Sequence, residues 1–152
     1  MKVIKLTKEG YDDLKTELEK LENKERPQIS KLLREAIEQG DLSENDAYHQ
    51  AKDRQGRLEM RILEIKKTLS MAKIVDGGSG DKVEVGSNIR IKSSDGTERN
   101  FIIVNSASAN PAEGKLSYDS PLGHAFMGHK KGDGIKIELP AGIKKYTILE
   151  IK

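Results

Sequence analysis

A long helical repeat constrains the fold of this 152-residue chain more than any other feature. In the stretch that ends near residue 72, the residues of one stripe are spaced four or three apart over more than three heptads. This spacing predicts the seam of a coiled coil. The stripe consists of Ala47, Ala51, Gln55, Leu58, Ile62, Ile65, Leu69 and Ala72. The charged residues between them are expected on the solvated outer faces: Glu59, Arg61, Glu64, Lys66 and Lys67.

A second apolar stripe precedes the first, over residues 8 to about 39. Its members are Tyr11, Leu14, Leu18 and Leu21, then Ile29, Leu32, Leu33, Ala36 and Ile37. Between Leu21 and Ile29 the stripe runs through Glu25 in two steps of four, a stutter that locally unwinds a coiled coil. Pro27 lies in the same stretch, and a proline inside a helix removes a hydrogen bond at a cost of roughly 3 kcal/mol. The sequence therefore predicts a kink or an irregular turn there.

The segment between the two stripes predicts a helical hairpin. Gly40 is suited to the position just after the end of the first helix. Because only a few residues separate the stripes, the two helices should be antiparallel neighbours. Each helix has about 30 residues, which gives an arm of roughly 45 Å at about 1.5 Å per residue.

After Val75 the pattern changes from helical to strand-like. Residues 76–81, DGGSGD, predict a short flexible linker. Apolar residues then alternate with polar ones between turn signals, which predicts a small antiparallel sheet: Val83 and Val85, Ile89 and Ile91, Phe101 to Val104, Ile135, Ile137 and Leu139, and Tyr146, Ile148 and Ile151. PLGHAFMG, residues 121–128, is the one plausible helical turn in this half.

The predicted fold class is α+β, with an N-terminal antiparallel coiled-coil hairpin followed by a small antiparallel-sheet domain. The expected division is an arm over residues 1–75, a linker over 76–81 and a second domain over 82–152. No apolar run approaches the roughly 18 residues of a membrane span, and the start, MKVIKLTKEG, lacks a secretory pattern. A cytoplasmic protein is expected. The chain has no Cys, and His49, His124 and His129 are too scattered to predict a metal cage.

The turn between the helices concentrates negative charge in a chain whose net charge is +2. Residues 35–52, EAIEQGDLSENDAYHQAK, contain no Lys or Arg before Lys52 and five carboxylates: Glu35, Glu38, Asp41, Glu44 and Asp46. Mutual repulsion makes such a cluster costly, and two explanations stay open. In the first, Asp41 with Glu44, or Ser43 with Asp46, forms a capping box.

The second explanation is a hard cation. Mg²⁺ prefers oxygen ligands, keeps several waters and is commonly bound by one or two carboxylates together with substrate phosphates. The end of a thin arm has no pocket of its own. Catalysis would therefore require the arm to enter a cavity of another protein.

Several segments together resemble one family. They are GDLSENDAYHQAK between the helices, RPQISKLLREAIEQ before it, QGRLEMRILEIKKTLSMAKIV after it, and SPLGHAFMGHKKGD in the second domain. In this order they resemble the Gre family of bacterial transcript cleavage factors over essentially the whole chain. The resemblance implies an elongation factor that is not itself an enzyme. Its coiled coil would enter the secondary channel of RNA polymerase and stimulate the polymerase's own cleavage of backtracked RNA.

The resemblance also implies roles for particular residues. The family's acidic pair falls on Asp41 and Glu44, which would hold an Mg²⁺ shared with the polymerase active site and orient a water. The implied partners are bacterial RNA polymerase and the 3′ end of the nascent RNA, with DNA binding as a family property. No membrane partner is expected, and the protein is expected to be a monomer.

Residues near the acidic pair keep alternative roles. The resemblance implies tip-shaping or polymerase-contacting roles for Ser43, Asn45, Asp46 and Tyr48, although packing of Tyr48 over the small Ala seam is an equal alternative. It implies that a basic patch attracts the RNA 3′ segment through its phosphates, and ordinary solvated helix charge is the alternative. The patch would consist of Lys31, Arg34, Lys52, Arg54 and Arg57.

The second domain resembles the family's C-terminal domain, whose fold is related to FK506-binding prolyl isomerases. The resemblance makes it the module that docks on polymerase. Isomerase activity needs an aromatic-lined pocket, and this half has no Trp; its Phe101, Phe126, Tyr118 and Tyr146 are mostly expected in its own core. Core positions are favoured for Phe126 and Met127, with a docking surface as the alternative.

Other functions remain possible on the sequence alone. The nearest is a Gre-like paralogue that enters the same channel and inhibits synthesis, although such proteins tend to have a more heavily acidic tip. A coiled-coil scaffold or chaperone, in which the turn acids are only caps, is a second. A free-standing isomerase is a third.

Overall fold

The chain forms two compact units. The computed structural model describes residues 2–41, 44–78 and 80–152. One unit is Asp12–Ser70, and the other combines Met1–Tyr11 with Met71–Lys152. This division differs from the predicted arm over residues 1–75, because residues on both sides of the helices belong with the sheet. The α+β class is confirmed.

Two short strands explain that difference. Strand β1 (Ile4–Thr7) pairs in parallel with β2 (Ala72–Val75) from Ile4 opposite Ala72 to Thr7 opposite Val75. The expected helical pattern up to Val75 is therefore wrong beyond Ser70. The β-branched side chains of Ile74 and Val75 favour a strand once a partner strand is available.

The helical unit is a hairpin. Helix α1 (Lys8–Lys20), a π-helical segment (Leu21–Glu25) and α2 (Arg26–Glu38) follow one another directly, and α3 (Asp46–Ser70) returns beside them. The first helix begins at Lys8, as predicted. Thr7 provides its cap, because the Thr7 hydroxyl oxygen accepts a hydrogen bond from the Gly10 N–H at 3.0 Å.

The irregularity predicted near Pro27 is confirmed as a π-helical turn. The Arg26 N–H donates to the Leu21 carbonyl, five residues back. In a regular helix, eight residues overshoot two full turns by about 80°. The wider π turn takes up an extra residue, so Leu21 and Ile29 both lie on the buried face. Pro27 falls in the first turn of α2, where proline is tolerated.

The seam predicted for α3 is largely confirmed. Ala51, Leu58, Ile62 and Ile65 are buried, and Gln55 and Leu69 are half-buried. Two of its members were predicted wrongly. Ala47 is exposed because it lies in the first turn of α3, one turn beyond the last buried seam residue, and Ala72 lies in β2.

Ion pairs between the helices establish their antiparallel direction. The Arg26 guanidinium donates to both carboxylate oxygens of Glu59 at 2.9 Å. Arg61 donates to Glu17 at 2.7 Å and to Glu64 at 2.9 Å. Glu17 precedes Arg26 in the first arm of the hairpin, but its partner Arg61 follows Glu59, the partner of Arg26. The two arms therefore run in opposite directions. Glu59 is exposed, as predicted for the outer faces, and Arg61 is half-buried; each also forms an ion pair across the two helices.

The sheet unit has five main strands. They are β3 (Asn88–Ser93), β4 (Glu98–Val104), β5 (Lys115–Ser117), β6 (Gly134–Leu139) and β7 (Gly142–Ile151). Their order is β5-β4-β3-β7-β6, and all neighbours are antiparallel except β4 and β5. The sheet is therefore mixed, not wholly antiparallel as predicted. A three-residue strand such as β5 contains too little alternation to be predicted from sequence.

Val83 and Val85 were predicted in a strand, but both precede β3 and lie outside the strands. Both are nevertheless buried. Short 3₁₀ segments at Ser106–Ser108 and Pro111–Glu113 connect β4 to β5.

The predicted helical turn is helix α4 (Pro121–Phe126). The Ser120 hydroxyl oxygen caps it by accepting from the Gly123 N–H at 3.1 Å. A Cβ on Gly123 would lie 1.9 Å from the Ser117 carbonyl oxygen, so only glycine lets this helix lie so close to β5. Phe126 is fully buried in the core, which confirms its expected place, and Met127 packs against that core in a partly buried position.

The glycine-rich segment 76–81 makes a close contact at one residue. A Cβ on Gly78 would lie 2.2 Å from the Ser87 hydroxyl oxygen, and Ser87 is fully buried. Glycine therefore permits close packing at Gly78, and the flexibility of the linker stays a prediction. Within the described ranges, no helix is long and apolar enough to cross a membrane.

Candidate functional site

The acidic turn begins just after the end of α2, at Gly40. The Gln39 N–H donates to the Ala36 carbonyl at 3.1 Å, and the Gly40 N–H donates to the Ile37 carbonyl at 3.3 Å. Gly40 has a φ of 113°, a conformation that other residues rarely adopt. The predicted role of Gly40 at the end of the first helix is confirmed. The chain then continues to Asp41, which is exposed.

Asn45 caps the start of α3. The Tyr48 N–H donates to Asn45 Oδ1 at 3.0 Å, and the His49 N–H donates to the Asn45 carbonyl at 3.1 Å. Asn is among the best residues for this position. Because α3 begins at Asp46, Asp41 and Glu44 do not form a capping box at the start of that helix.

The alternative box of Ser43 with Asp46 stays a prediction. Asp46 is the first residue of the helix, and Asn45 supplies the cap. Ser43 itself lies outside the described residues. The sequence carried a signal for the true cap, since an Asn directly before a helical run is a strong helix start.

Asn45 also contacts the other helix. Its Nδ2 donates to the Ala36 carbonyl oxygen at 2.6 Å, while its Oδ1 accepts from Tyr48. The partners fix the orientation of the amide, since a carbonyl can only accept and an N–H can only donate. One side chain thus links the last turn of α2 to the first turn of α3. The sequence did not predict this link.

The acidic residues of the turn are all exposed: Glu35, Glu38, Asp41, Glu44 and Asp46. Glu35 lies 4.0 Å from Lys31. The five belong to different parts of the hairpin, because Glu35 and Glu38 lie on α2 and Asp46 begins α3. Asp41 and Glu44 lie on the connection itself, separated by two residues.

Asp41 and Glu44 fit a shared Mg²⁺ by the chemistry of their donors. Carboxylate oxygens are ligands that Mg²⁺ accepts, and Mg²⁺ sites commonly use only one or two protein carboxylates. Among the described residues, no group of three or more His, Cys, Asp or Glu lies close enough to hold a metal. Two exposed carboxylates would therefore need further ligands from water or from a partner.

The five residues of the predicted basic patch are exposed on the flanking helices. Lys31 lies within ion-pair distance of Glu35, and Lys52 Nζ donates to Gln55 Oε1 at 3.3 Å. Arg34, Arg54 and Arg57 form no ion pair with any residue that the structure describes. Their role in RNA binding stays a prediction.

Tyr48 is half-buried, and its ring lies edge-on to that of His49 with centroids 5.5 Å apart. Its backbone N–H is held by the Asn45 cap. Polymerase contact and packing over the Ala seam both remain predictions for its side chain.

The sheet unit contains a cavity of about 200 Å³ bordered by Phe101, Leu122, Tyr146, Arg99 and Lys144, among others. Pockets for drug-sized ligands are larger, about 300–1,000 Å³. The aromatic side chains serve mainly the core, as predicted. Phe101 is buried, and the ring of the fully buried Phe126 lies edge-on to Tyr146 with centroids 5.7 Å apart.

The structure defines a class of protein in which a helical hairpin with an acidic turn and a small mixed sheet share one chain. Two family descriptions match this chain in order. "Transcription elongation factor, N-terminal" matches residues 4–74, and "Transcription elongation factor, GreA/GreB, C-term" matches residues 78–152. The chain belongs to the GreA/GreB family of transcription elongation factors.

Curated relatives agree with this assignment. A protein of Thermotoga neapolitana named transcription elongation factor GreA is 45% identical, and the alignment covers 99% of this chain and 98% of that protein. A Chloroflexus aurantiacus protein of the same name is 42% identical, with 97% and 96% covered. The resemblance to the Gre family found in the sequence is therefore confirmed, and both of these relatives are named GreA.

Solved structures of related proteins also align with the chain. GreA factor homolog 1 (Gfh1) of Thermus thermophilus is 32% identical and covers 99% of both chains, with a TM-score of 0.46. A GreA/GreB factor from Nitrosomonas europaea is 18% identical, with a TM-score of 0.43.

Proposed function

We propose that this elongation factor stimulates RNA polymerase to cleave its own backtracked transcript. The observation that carries the proposal is the exposure of Asp41 and Glu44 on the connection between α2 and α3. A turn at the end of a hairpin is the part of the arm that can reach furthest into another protein. In a chain of the GreA/GreB family, we infer that the hairpin enters the polymerase's secondary channel.

The proposed chemistry assigns Asp41 and Glu44 to one Mg²⁺ shared with the polymerase active site. When bound, such an ion activates a water for attack on a phosphodiester and stabilises developing negative charge. The two carboxylates bind the ion from the factor's side and orient the water by accepting hydrogen bonds from it. Binding through one or two carboxylates leaves the remaining positions for polymerase, water and phosphate oxygens.

The exposed basic side chains support contact with RNA. Arg34, Arg54 and Arg57 are exposed on the helices that flank the acidic turn. In the proposal they attract phosphates of the extruded RNA 3′ segment, an interaction that weakens as salt rises. The sheet unit serves as the docking module on polymerase.

The direct test uses the full chain with a stalled, backtracked polymerase complex carrying RNA labelled at its 5′ end. With Mg²⁺ present, we expect the RNA to shorten from its 3′ end faster than with polymerase alone. The factor without polymerase should not cleave free RNA. Robust cleavage of free RNA would instead indicate a nuclease.

Three other outcomes separate the alternatives. If the factor slows RNA synthesis and produces no cleavage, it is a secondary-channel inhibitor. If it changes neither synthesis nor cleavage and does not compete with a known cleavage factor for polymerase, the scaffold alternative is favoured. Isomerisation of a proline peptide by the protein alone would support the isomerase alternative.

A further inference from the structure

We infer that Asn45 is a positioning residue for the acidic pair, because its single amide group joins the two helix ends that carry Asp41 and Glu44. This inference rests on the proposed cleavage function. It assigns Asn45 a role through the carboxylates and not in contact with the metal or the RNA.

The Asn45 side chain forms two hydrogen bonds, one to each helix. Nδ2 donates to the Ala36 carbonyl in the last turns of α2 at 2.6 Å, and Oδ1 accepts from the Tyr48 N–H in α3 at 3.0 Å. Both partners are backbone groups. Their positions are therefore set by the helices themselves and do not depend on side-chain rotation.

Asp41 and Glu44 both lie in the chain between Ala36 and Asn45. Asp41 follows the end of α2 by way of Gly40, and Glu44 directly precedes Asn45 in the chain. When Asn45 is tied to Ala36, the backbone on which Glu44 sits is tied to the helix from which Asp41 emerges. The link therefore restricts how far the two carboxylates can move apart. A metal ligand pair needs this restriction, because productive geometry must be held within a fraction of an ångström.

An amide suits this position because one hydrogen bond is donated and the other is accepted. The site needs one donor and one acceptor at fixed separation, and Asn supplies both. Asp has the same shape but offers only acceptors, one of which would face the Ala36 carbonyl oxygen. Ser caps a helix well, but its side chain ends one atom earlier than the amide nitrogen. A cationic link would pair with Asp41 or Glu44, whereas the amide leaves their charge unchanged.

The test compares Asn45→Ser and Asn45→Asp with the unaltered full-length protein. Both variants keep a good capping residue for α3 and lose the donor to Ala36. One variant adds a negative charge and the other does not, so an equal effect in both points to the lost donor. Asn23→Ser is the control, because Asn23 is exposed and has no side-chain hydrogen bond to the part of the chain that the structure describes.

The kinetic readout separates positioning from simple loss of folded protein. At saturating factor, we expect both Asn45 variants to cleave about 10-fold or more slowly, in the range that outer-shell partners of metal ligands show. The Mg²⁺ concentration for half-maximal cleavage should rise, while the factor concentration for half-maximal effect stays the same. A purely structural defect would raise the required factor concentration, and excess factor would restore the rate.

A second readout needs no polymerase. In NMR spectra of the unaltered full chain, the Asn45 side-chain amide and the Tyr48 amide should exchange slowly with solvent. In Asn45→Ser the Tyr48 amide should stay protected, since the cap remains. Rapid exchange of the Asn45 amide in the unaltered protein would overturn the inference.

The outcomes distinguish the two proposals. If the unaltered protein stimulates cleavage and both Asn45 variants do so equally well at limiting Mg²⁺, the positioning inference is wrong and the proposed function stands. If the unaltered protein stimulates no cleavage while its Asn45 amide is protected, the proposed function is wrong, and the catalytic inference that rests on it is wrong with it. Loss in the variants but not in Asn23→Ser supports both.

Discussion

Along the hairpin, the polar links between the helices change in kind from the middle to the turn. In the middle they are ion pairs. Arg26 Nη2 donates to Glu59 Oε2 at 2.9 Å, and Arg61 Nη2 donates to Glu17 Oε2 at 2.7 Å. At the turn, the link is the neutral Asn45 amide on the Ala36 carbonyl. An ionic link holds helices while neutralising acids, whereas an amide holds them and leaves nearby carboxylates charged. We call the paired helices α1 to α3 the shaft and the connection that carries Asp41 and Glu44 the tip. The difference in links suits a shaft that must be stable and a tip that must offer negative charge.

The largest expected effect on the shaft comes from its apolar seam. Ile65 is fully buried, so Ile65→Ala should lower the free energy of unfolding by about 2–5 kcal/mol. Leu63→Ala is the control, because Leu63 is 69% exposed on the same helix and should change stability by less than about 0.5 kcal/mol. Thermal melting followed by circular dichroism measures both. Under conditions where Ile65→Ala is folded, its cleavage rate at saturation should match the unaltered protein, and a large loss would break the distinction between shaft and tip.

The acidic pair should show the opposite behaviour. Asp41→Asn and Glu44→Gln should each reduce stimulated cleavage by about 100-fold, the upper range for outer-shell partners of a metal, because these residues are proposed as direct ligands. Neither should change helical melting, since Asn45 supplies the cap of α3. The measurement is cleavage of one backtracked complex at several Mg²⁺ concentrations. Asp53→Asn, an exposed acid within α3, should cleave normally.

If both acidic variants cleave at near-normal rates when Mg²⁺ is limiting, the assignment of Asp41 and Glu44 as ligands is wrong. If the variants instead lose cleavage and also fail to compete with the unaltered protein for polymerase, the defect is in binding and not in chemistry.

Two glycines should respond oppositely to alanine. Gly40 has a positive φ, so Gly40→Ala should destabilise the hairpin by about 1 kcal/mol through backbone strain. Gly56 lies within α3 with nothing within 4 Å of an added Cβ, so Gly56→Ala should stabilise it by about 0.5–1 kcal/mol. Denaturant titration of the two variants gives both signs. Stabilisation by Gly40→Ala would show that the turn does not need the glycine conformation.

The ion pairs between the helices should contribute less to the free energy of unfolding than the apolar seam does. Burial of Arg61 favours the neutral form of its side chain and lowers its pKa. The hydrogen bonds with Glu17 and Glu64 outweigh this effect, so the pKa of Arg61 is raised overall. Arg61→Gln should cost about 1 kcal/mol or less, the upper range for exposed ion pairs. The cost should shrink in high salt. A loss as large as that of Ile65→Ala would mean that charge, and not apolar burial, stabilises the shaft.

The smallest effect is expected from Arg26 and depends on pH. Its hydrogen bonds hold the pKa of the Glu59 carboxyl below the ordinary value of 4.5. A carboxyl with a lowered pKa adds stability above its unfolded value, and this stability is lost as the pH falls through the lower folded value. The melting temperatures of the unaltered protein and Arg26→Gln should therefore differ above about pH 4.5 and converge in acid. Arg57→Gln, at an exposed arginine, should show no such convergence.

Local patterns were enough to predict much of the fold and the candidate site. The period of Leu58, Ile62 and Ile65 indicated a helix with one buried face, and the stutter with Pro27 indicated the irregular turn. Gly40 indicated the end of the first helix. These features depend on residues within a few positions of each other, so the chain alone specifies them. The charge pattern and the family motif likewise indicated Asp41 and Glu44 without coordinates.

Other features depended on contacts between residues far apart in the chain. The pairing of β1 with β2 joins residues 4–7 to 72–75, and only that pairing turns Ala72–Val75 into a strand after a helical repeat. The parallel pairing of β5 with β4 has the same origin. The sequence offered Asp41 or Ser43 as a cap, with a cation as the alternative, whereas in the structure Asn45 caps α3. An amide can join two helix ends only after the hairpin has brought the Ala36 carbonyl within 2.6 Å of it, and no local pattern encodes that distance.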